Sequence, residues 1–245
     1  MPELPQIGAL WVYLAATPLL GLTLTLCAYA FAQAIYARCR MSPLANPVAI
    51  AIALVAVVLT VADMPYRDYF AGAQFVHFLL GPATVALAIP LARQWPTLRR
   101  SFLPLAAGLL AGSVCAILSA VALVVALGGS IQLAATVAPK SATTPIAMAV
   151  AERLGGLPSL TAVMVIFTGI VGAVTARFLF NWMGIESPQV RGFALGVASH
   201  GIGTARAFQV SPEMGAFAGL GMGLNGVLTA LLAPWLVPLA LRWLA

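Results

Sequence analysis

The chain is predicted to be an all-α polytopic membrane protein, with about seven spans and a re-entrant hairpin arranged as two inverted repeats that each carry a broken helix. Three observations carry this prediction. Hydrophobic residues make up 62% of the sequence and charged residues only 7%, where a soluble domain carries about 25% charged residues. The apolar residues fall in long runs, and about 20 such residues cross a bilayer core. Two of the runs are interrupted, and a polar stretch at 139–147 separates the fourth run from the fifth.

The runs follow in order. The first covers 7–36, long enough to tilt, and the second 47–62. The third, 70–91, is interrupted at Gly81-Pro82. The fourth covers 102–127, the fifth 157–182. The sixth, 190–210, is interrupted at His200-Gly201-Ile202-Gly203, and the seventh covers 214–244. The segment 130–154 holds a lysine, three hydroxyls and two prolines within nine residues, too polar for an ordinary span. Proline removes a backbone donor and charge is costly in hydrocarbon. Such a stretch is tolerated at membrane depth where it is buried in protein or lines a wet cavity. It therefore points to a site for a polar solute.

Basic residues set the orientation. Arg38 and Arg40 follow the first run. Arg93, Arg99 and Arg100 follow the third, Arg177 and Arg191 flank the loop after the fifth, and Arg242 ends the seventh. All fall on the cytoplasmic side if 130–154 enters and leaves on one face, with the N-terminus outside and the C-terminus inside. The whole chain, 1–245, then reads as a single domain. An extra N-terminal span (7–36) precedes repeat one (47–127), the hairpin (130–154) and repeat two (157–244). Each repeat runs plain span, broken span, plain span, with opposite polarity. Gly72, Gly81 and Thr84 recur 120 positions later as Gly192, Gly201 and Thr204.

The breaks supply the candidate site. Pro82 suits the first turn of a helix, leaving the amides of Ala83 and Thr84 as unpaired donors at a positive dipole end; a proline kink with Thr84 bonded to its own helix is the other reading. Gly201 and Gly203 let the backbone approach a ligand. His200 adds a titratable group and Arg206 a fixed cation, or else His200 is a packed residue and Arg206 snorkels to the interface. Ser141, Thr143 and Thr144 are short donors beside Pro145. Lys140 either contacts the solute or marks the hairpin mouth. Glu152 and Arg153 read as an interfacial pair. Asn225, among the packing glycines of the seventh run, needs a partner, either the broken backbone of the sixth run or a ligand.

Other classes are disfavoured. The net charge of +6 lies in scattered loop residues, which argues against nucleic acid. Cys27, Cys39 and Cys115 lack metal or redox spacing, so no metal or cofactor is expected. Glu3 and the length of the first run argue against a cleavable signal. No nucleophile–base pair or phosphate-binding loop stands out, and no enzymatic activity is expected.

Several of these strings resemble the LrgB/CidB family: LLGPATVALAIPL (79–91), PKSATTPIAMAVAERLGG (139–156), SLTAVMVIFTGIVGAV (159–174), RGFALGVASHGIGTARAF (191–208) and GAFAGLGMGLNGVLTALLAP (215–234). They cover most of 79–234 in the family's order. Ala92-Arg93 stand where the family often has a tyrosine. The resemblance implies a bacterial inner-membrane protein with one of two functions. One is antiholin-like control of murein hydrolase activity and lysis. The other is transport of small monocarboxylates, as in the plastidial glycolate/glycerate translocator and bacterial pyruvate uptake systems. It also implies a separate LrgA/CidA-like small membrane protein as partner. The residues themselves favour a carrier working by alternating access, whose broken-helix core moves against the first span and that partner. The glycine-rich seventh run packs either within the protomer or across a homo-oligomer interface, and the sequence leaves both open.

Overall fold

The computed structural model describes residues 18–79, 82, 85, 86, 89, 92 and 95–244. All regular structure among them is helical. Two compact units divide the chain, 1–86 and 87–245.

The first unit holds α1 (Pro18–Arg38), α2 (Pro47–Val61) and α3 (Tyr66–Phe78). Small residues on α1 let the helices approach. Ala28 and Ala32 are buried, and a Cβ on Gly21 would overlap the Tyr69 carbonyl oxygen. The Thr25 and Tyr69 hydroxyls are 2.8 Å apart. Asn46 caps α2, its side chain accepting from the amides of Val48 and Ala49. Two of the candidate residues, Gly81 and Thr84, lie outside the described residues. Pro82 is helical and exposed.

The second unit is built from α4 (Trp95–Arg100), α5 (Phe102–Ala126), α6 (Ile131–Val137), α7 (Thr144–Arg153), α8 (Pro158–Trp182), α9 (Pro188–Val210) and α10 (Pro212–Leu244). Among the described residues, α1, α5, α8 and α10 are the helices long and apolar enough to cross a membrane. At 15 residues, α2 reaches only about 22 Å, short of the roughly 30 Å hydrocarbon core.

The segment 130–154 forms the expected hairpin. Its arms, α6 and α7, have 7 and 10 residues, or about 10 and 15 Å, and neither could cross a bilayer. Ser130 caps α6 by accepting from the Leu133 amide, and Pro145 sits in the first turn of α7, where its missing N–H costs nothing. Thr136 ties the hairpin to the start of α8: its Oγ1 accepts from the Leu157 amide at 2.9 Å and its carbonyl accepts from Thr161 Oγ1 at 2.9 Å. Ala134, Ala138 and Val150 pack in one cluster with Ile117 and Val121 of α5 and Ala233, Val237 and Ala240 of α10.

The sixth run departs from the expected broken span. Its helix is interrupted at Ser199 and His200, the latter at φ 42°, and the two halves, α9a (188–198) and α9b (201–210), fold back on each other. A Cβ on Gly203 would lie 2.8 Å from the Leu195 carbonyl oxygen, although eight residues of continuous helix span about 12 Å. Ala207 packs in one cluster with Leu195, and Arg191 and Arg206 line one cleft. α9 is thus a second hairpin.

The direction of α10 follows. Cβ atoms on Gly192 and Gly196 would overlap the carbonyl oxygens of Met214 and Ala218, so α9a and α10 run parallel. Leu105 and Leu109 of α5 pack on Phe193, Val197 and Phe217, placing the start of α5 at the same end. This end of the unit carries Arg99, Arg100, Arg177, Arg191 and Arg206. Arg242 lies at the opposite end, with Arg153, which corrects the expectation that it shares an end with Arg177 and Arg191.

Candidate functional site

The two hairpins enter the unit from opposite ends, and their tips border one cavity of about 950 Å³. From the arginine end the walls are Thr97, Ser101 and Leu105, then Gly108 and Gly112 of α5, Phe167 and Val171 of α8, Val190 and Phe193 of α9a and Phe217 of α10. The inner end holds Lys140 and Ser141 of the first hairpin, Thr168 and Gly172 of α8 and Ser199 of the second hairpin. The depth is set by helix rise. Ser101 to Ala116 along α5 and Gln189 to Ala198 on α9a, both cavity-lining pairs, give about 22 and 14 Å. The inner end therefore lies near the middle of the unit.

Among the described lining residues, Lys140 carries the only positive charge and none is a carboxylate. Its backbone is fixed by the turn: the Lys140 amide donates to the Val137 carbonyl at 3.1 Å and the Ala142 amide to the Pro139 carbonyl at 3.0 Å. An ammonium at this depth without a counter-charge is costly, and a bound anion offsets that cost. The hydroxyls of Ser141, Thr168 and Ser199 add short donors.

Glycines on α8 seat the second tip. A Cβ on Gly172 would overlap Ser199 Oγ, and one on Gly169 would lie 2.7 Å from His200 Cε1. The His200 ring nitrogen Nε2 donates to the Val165 carbonyl at 2.8 Å. That latch over-determines a backbone conformation a non-glycine residue seldom adopts.

Of the residues singled out from 130 onward, Lys140 and Ser141 line the cavity and the others have different places. His200 is the latch. Thr204 Oγ1 donates to the His200 carbonyl at 2.8 Å. Gly201 and Gly203 serve the turn and the close return of α9b. Thr143 precedes α7 without a side-chain cap bond, and Thr144 opens it. Arg206 lines a separate cleft. Asn225 bonds to the first hairpin and not to the broken backbone of the sixth run: its Nδ2 donates to the Ser141 carbonyl at 3.0 Å, and its Oδ1 accepts from Ser113 Oγ at 2.6 Å. It thereby holds the first tip on α5 and α10. In Asn225→Leu the Ser141 carbonyl and the Ser113 hydroxyl lose a buried partner, at about 1–3 kcal/mol for an unsatisfied group. Thermal unfolding in detergent is expected to show a clear loss of stability.

Sequence reading passed over Ser113, Thr168, Gly172 and Ser199. Their signal is a hydroxyl or small residue inside an apolar run, which packing alone also produces.

These features define a class: an all-helical membrane protein whose two helical hairpins meet at an anion-compatible cavity. The chain belongs to the LrgB-like family, whose model matches residues 25–239. It is 34% identical over 222 residues to the uncharacterized protein YwbG of Bacillus subtilis, covering 89% of this chain and 97% of that one. An uncharacterized Haemophilus influenzae protein is 33% identical over 194 residues, 79% of this chain and 84% of its own length. Antiholin-like protein LrgB of Bacillus cereus is 28% identical over 222 residues, 91% of this chain and 96% of its own length. No solved structure matches.

Proposed function

We propose that this chain is a carrier of small monocarboxylates of the pyruvate, glycolate or glycerate class, with no catalytic role. In this reading it works by alternating access in the bacterial inner membrane, beside an LrgA/CidA-like partner. The observation that carries the proposal is Lys140 at the inner end of the cavity, the one cation among its described lining residues, which include no carboxylate. One ammonium balances one carboxylate. A second carboxylate would be left uncompensated in a desolvated place. Leu105, Phe167, Phe193 and Phe217 give the walls a character suited to a short carbon body, and the hydroxyls of Ser141, Thr168 and Ser199 suit a keto or hydroxyl oxygen.

The architecture supports alternating access. The cavity reaches from the arginine end to mid-depth, and beyond it the first hairpin packs in the Ile117–Val121–Ala134–Val150–Val237 cluster. That is the form of one end state. In our reading α5 with the first hairpin, and α8 with the second, make an inverted pair around the site. This replaces the pairing of 47–127 with 157–244. The bias of Arg99, Arg100, Arg177, Arg191 and Arg206 over Arg153 and Arg242 favours a cytoplasmic arginine end, and with it a C-terminus outside.

The name carried by the Bacillus cereus relatives, antiholin-like protein, favours a second reading, which the family resemblance noted above extends to control of murein hydrolase activity and lysis. Uptake by proteoliposomes separates the two, with and without the partner. Saturable uptake of labelled pyruvate, lactate or glycolate, competed by the others and not by succinate, is the expected result. No uptake of any of them by folded protein with its partner would overturn the carrier reading and leave lysis control.

A further inference from the structure

A second cleft, of about 220 Å³, opens at the arginine end and is lined by Arg177, Arg191 and Arg206 together with Phe180, Val210 and Met214. We propose that it binds a phosphate-bearing anion, the headgroup of an anionic phospholipid or a free phosphate, and that the bound group ties the mouth of the second hairpin to α8.

The three guanidiniums come from α8, α9a and α9b, separated in sequence and joined only by the fold. Arg177 stands five residues before the end of α8, Arg191 three residues after the start of α9 and Arg206 four before its end. Helix rise puts all three about 5–8 Å inside the end of the unit. In a bilayer this is headgroup depth, and Trp182, 84% exposed at the end of α8, is the kind of residue that marks that level.

Arg191 and Arg206 are pre-positioned. Arg191 donates from Nε to the Ile185 carbonyl and from a terminal nitrogen to Asn181 Oδ1 at 2.7 Å, and it lies 5.8 Å over the Phe180 ring. Arg206 donates to Gln209 Oε1 at 3.2 Å. A guanidinium has five donors in a fork that matches phosphate oxygens, so Arg191 retains donors beyond those two bonds. No carboxylate lines the cleft among the described residues; Glu213 accepts from Gln189 Nε2 instead. A phosphate group offers several acceptor oxygens to the guanidinium of Arg177 and to the donors that Arg191 retains, and would bridge α8 and α9 through charge-assisted hydrogen bonds.

The test is thermal unfolding of the full chain in a neutral detergent, titrated separately with short-chain phosphatidylglycerol, short-chain phosphatidylcholine and inorganic phosphate. A ligand that binds only the folded state raises the unfolding temperature saturably. A rise with phosphatidylglycerol alone identifies a lipid headgroup; a rise with inorganic phosphate as well identifies a free anion. Arg177→Gln, at an exposed position, is expected to fold normally and weaken the apparent affinity about tenfold. Arg242→Gln, at the opposite end, is expected to leave it unchanged. Absence of any rise with either anion, an equal rise with phosphatidylcholine, or an Arg177→Gln protein that responds like the parent would overturn the proposal. Lys140→Gln keeps the full response here even if no carboxylate is carried, so failure of this site and failure of the carrier reading are separately visible.

Discussion

Replacing Lys140 with glutamine is expected to remove saturable monocarboxylate uptake while leaving the protein folded, and at least as stable as the parent. The two halves of that result have one cause. Lys140 brings a positive charge to mid-depth, and no carboxylate lines the cavity with it among the described residues. Holding a charge there costs free energy in the empty protein, so a neutral side chain of similar length relieves the fold. With a carboxylate bound, the ammonium makes a charge-assisted hydrogen bond worth about 1.5–3 kcal/mol. Its loss is roughly a tenfold to hundredfold loss of apparent affinity. Lys140→Arg keeps the charge but presents a planar fork in place of a point charge, and an intermediate activity is expected. Concentration-dependent uptake, with thermal unfolding on the same samples, checks both halves. A glutamine variant that transports normally would remove Lys140 from the site. One that is destabilised would make the lysine a structural residue.

The plain helices were legible because length and apolarity suffice to define them. The runs 47–62, 102–127, 157–182 and 214–244 became helices Pro47–Val61, Phe102–Ala126, Pro158–Trp182 and Pro212–Leu244. The first hairpin was legible for the opposite reason, since a lysine, hydroxyls and prolines do not make a plain span. The second hairpin was not. The run 190–210 has the length of one span, and the same residues serve two half-helices. The break was visible in Gly201 and Gly203, but its direction depends on Gly203 and Ala207 meeting Leu195, a tertiary contact no local pattern encodes. Reading that segment as a crossing reverses α10 and sends Arg242 to the wrong end.

The site was legible in part, along the same line. Lys140 and Ser141 stood out as polarity without a local explanation, and they line the cavity. Thr204 and Asn225 stood out equally, yet their polar atoms are spent on the His200 carbonyl and on the Ser141 carbonyl and Ser113 hydroxyl. A buried polar side chain in a membrane helix needs a partner, and sequence does not tell a backbone partner from a solute. Thr168 and Ser199 present the converse. A hydroxyl inside a helix is most often bonded to its own backbone, so nothing local separates these two from Thr175, which does donate to the Val171 carbonyl.

The packing of α9a on α10 leads to the other large effect. Gly196→Ala is expected to cost about 3 kcal/mol, the upper end of the range for overpacking, or to prevent folding. The added Cβ overlaps the Ala218 carbonyl oxygen, which is backbone and has no rotamer to escape into. Gly192 meets the Met214 carbonyl in the same way, and a Cβ on Gly221 would lie 2.6 Å from the Phe193 carbonyl oxygen. The contact therefore extends over more than a turn of α9a, from Gly192 to Gly196, and one methyl group must move a whole helix. Gly223→Ala on α10 makes the comparison, because a Cβ there meets nothing within 4 Å. It should gain up to about 1 kcal/mol from helix propensity. Two glycine-to-alanine changes in contacting helices thus carry opposite signs. The same contact positions Phe193, Val197 and Phe217, which form one cavity wall. Gly196→Ala should therefore lower uptake even at temperatures where the protein stays folded, whereas Gly223→Ala should not. Unfolding temperatures for the pair, read beside uptake, decide the matter: a Gly196→Ala protein as stable and active as Gly223→Ala would mean that α9a does not lie against α10, and the second hairpin would lose its footing.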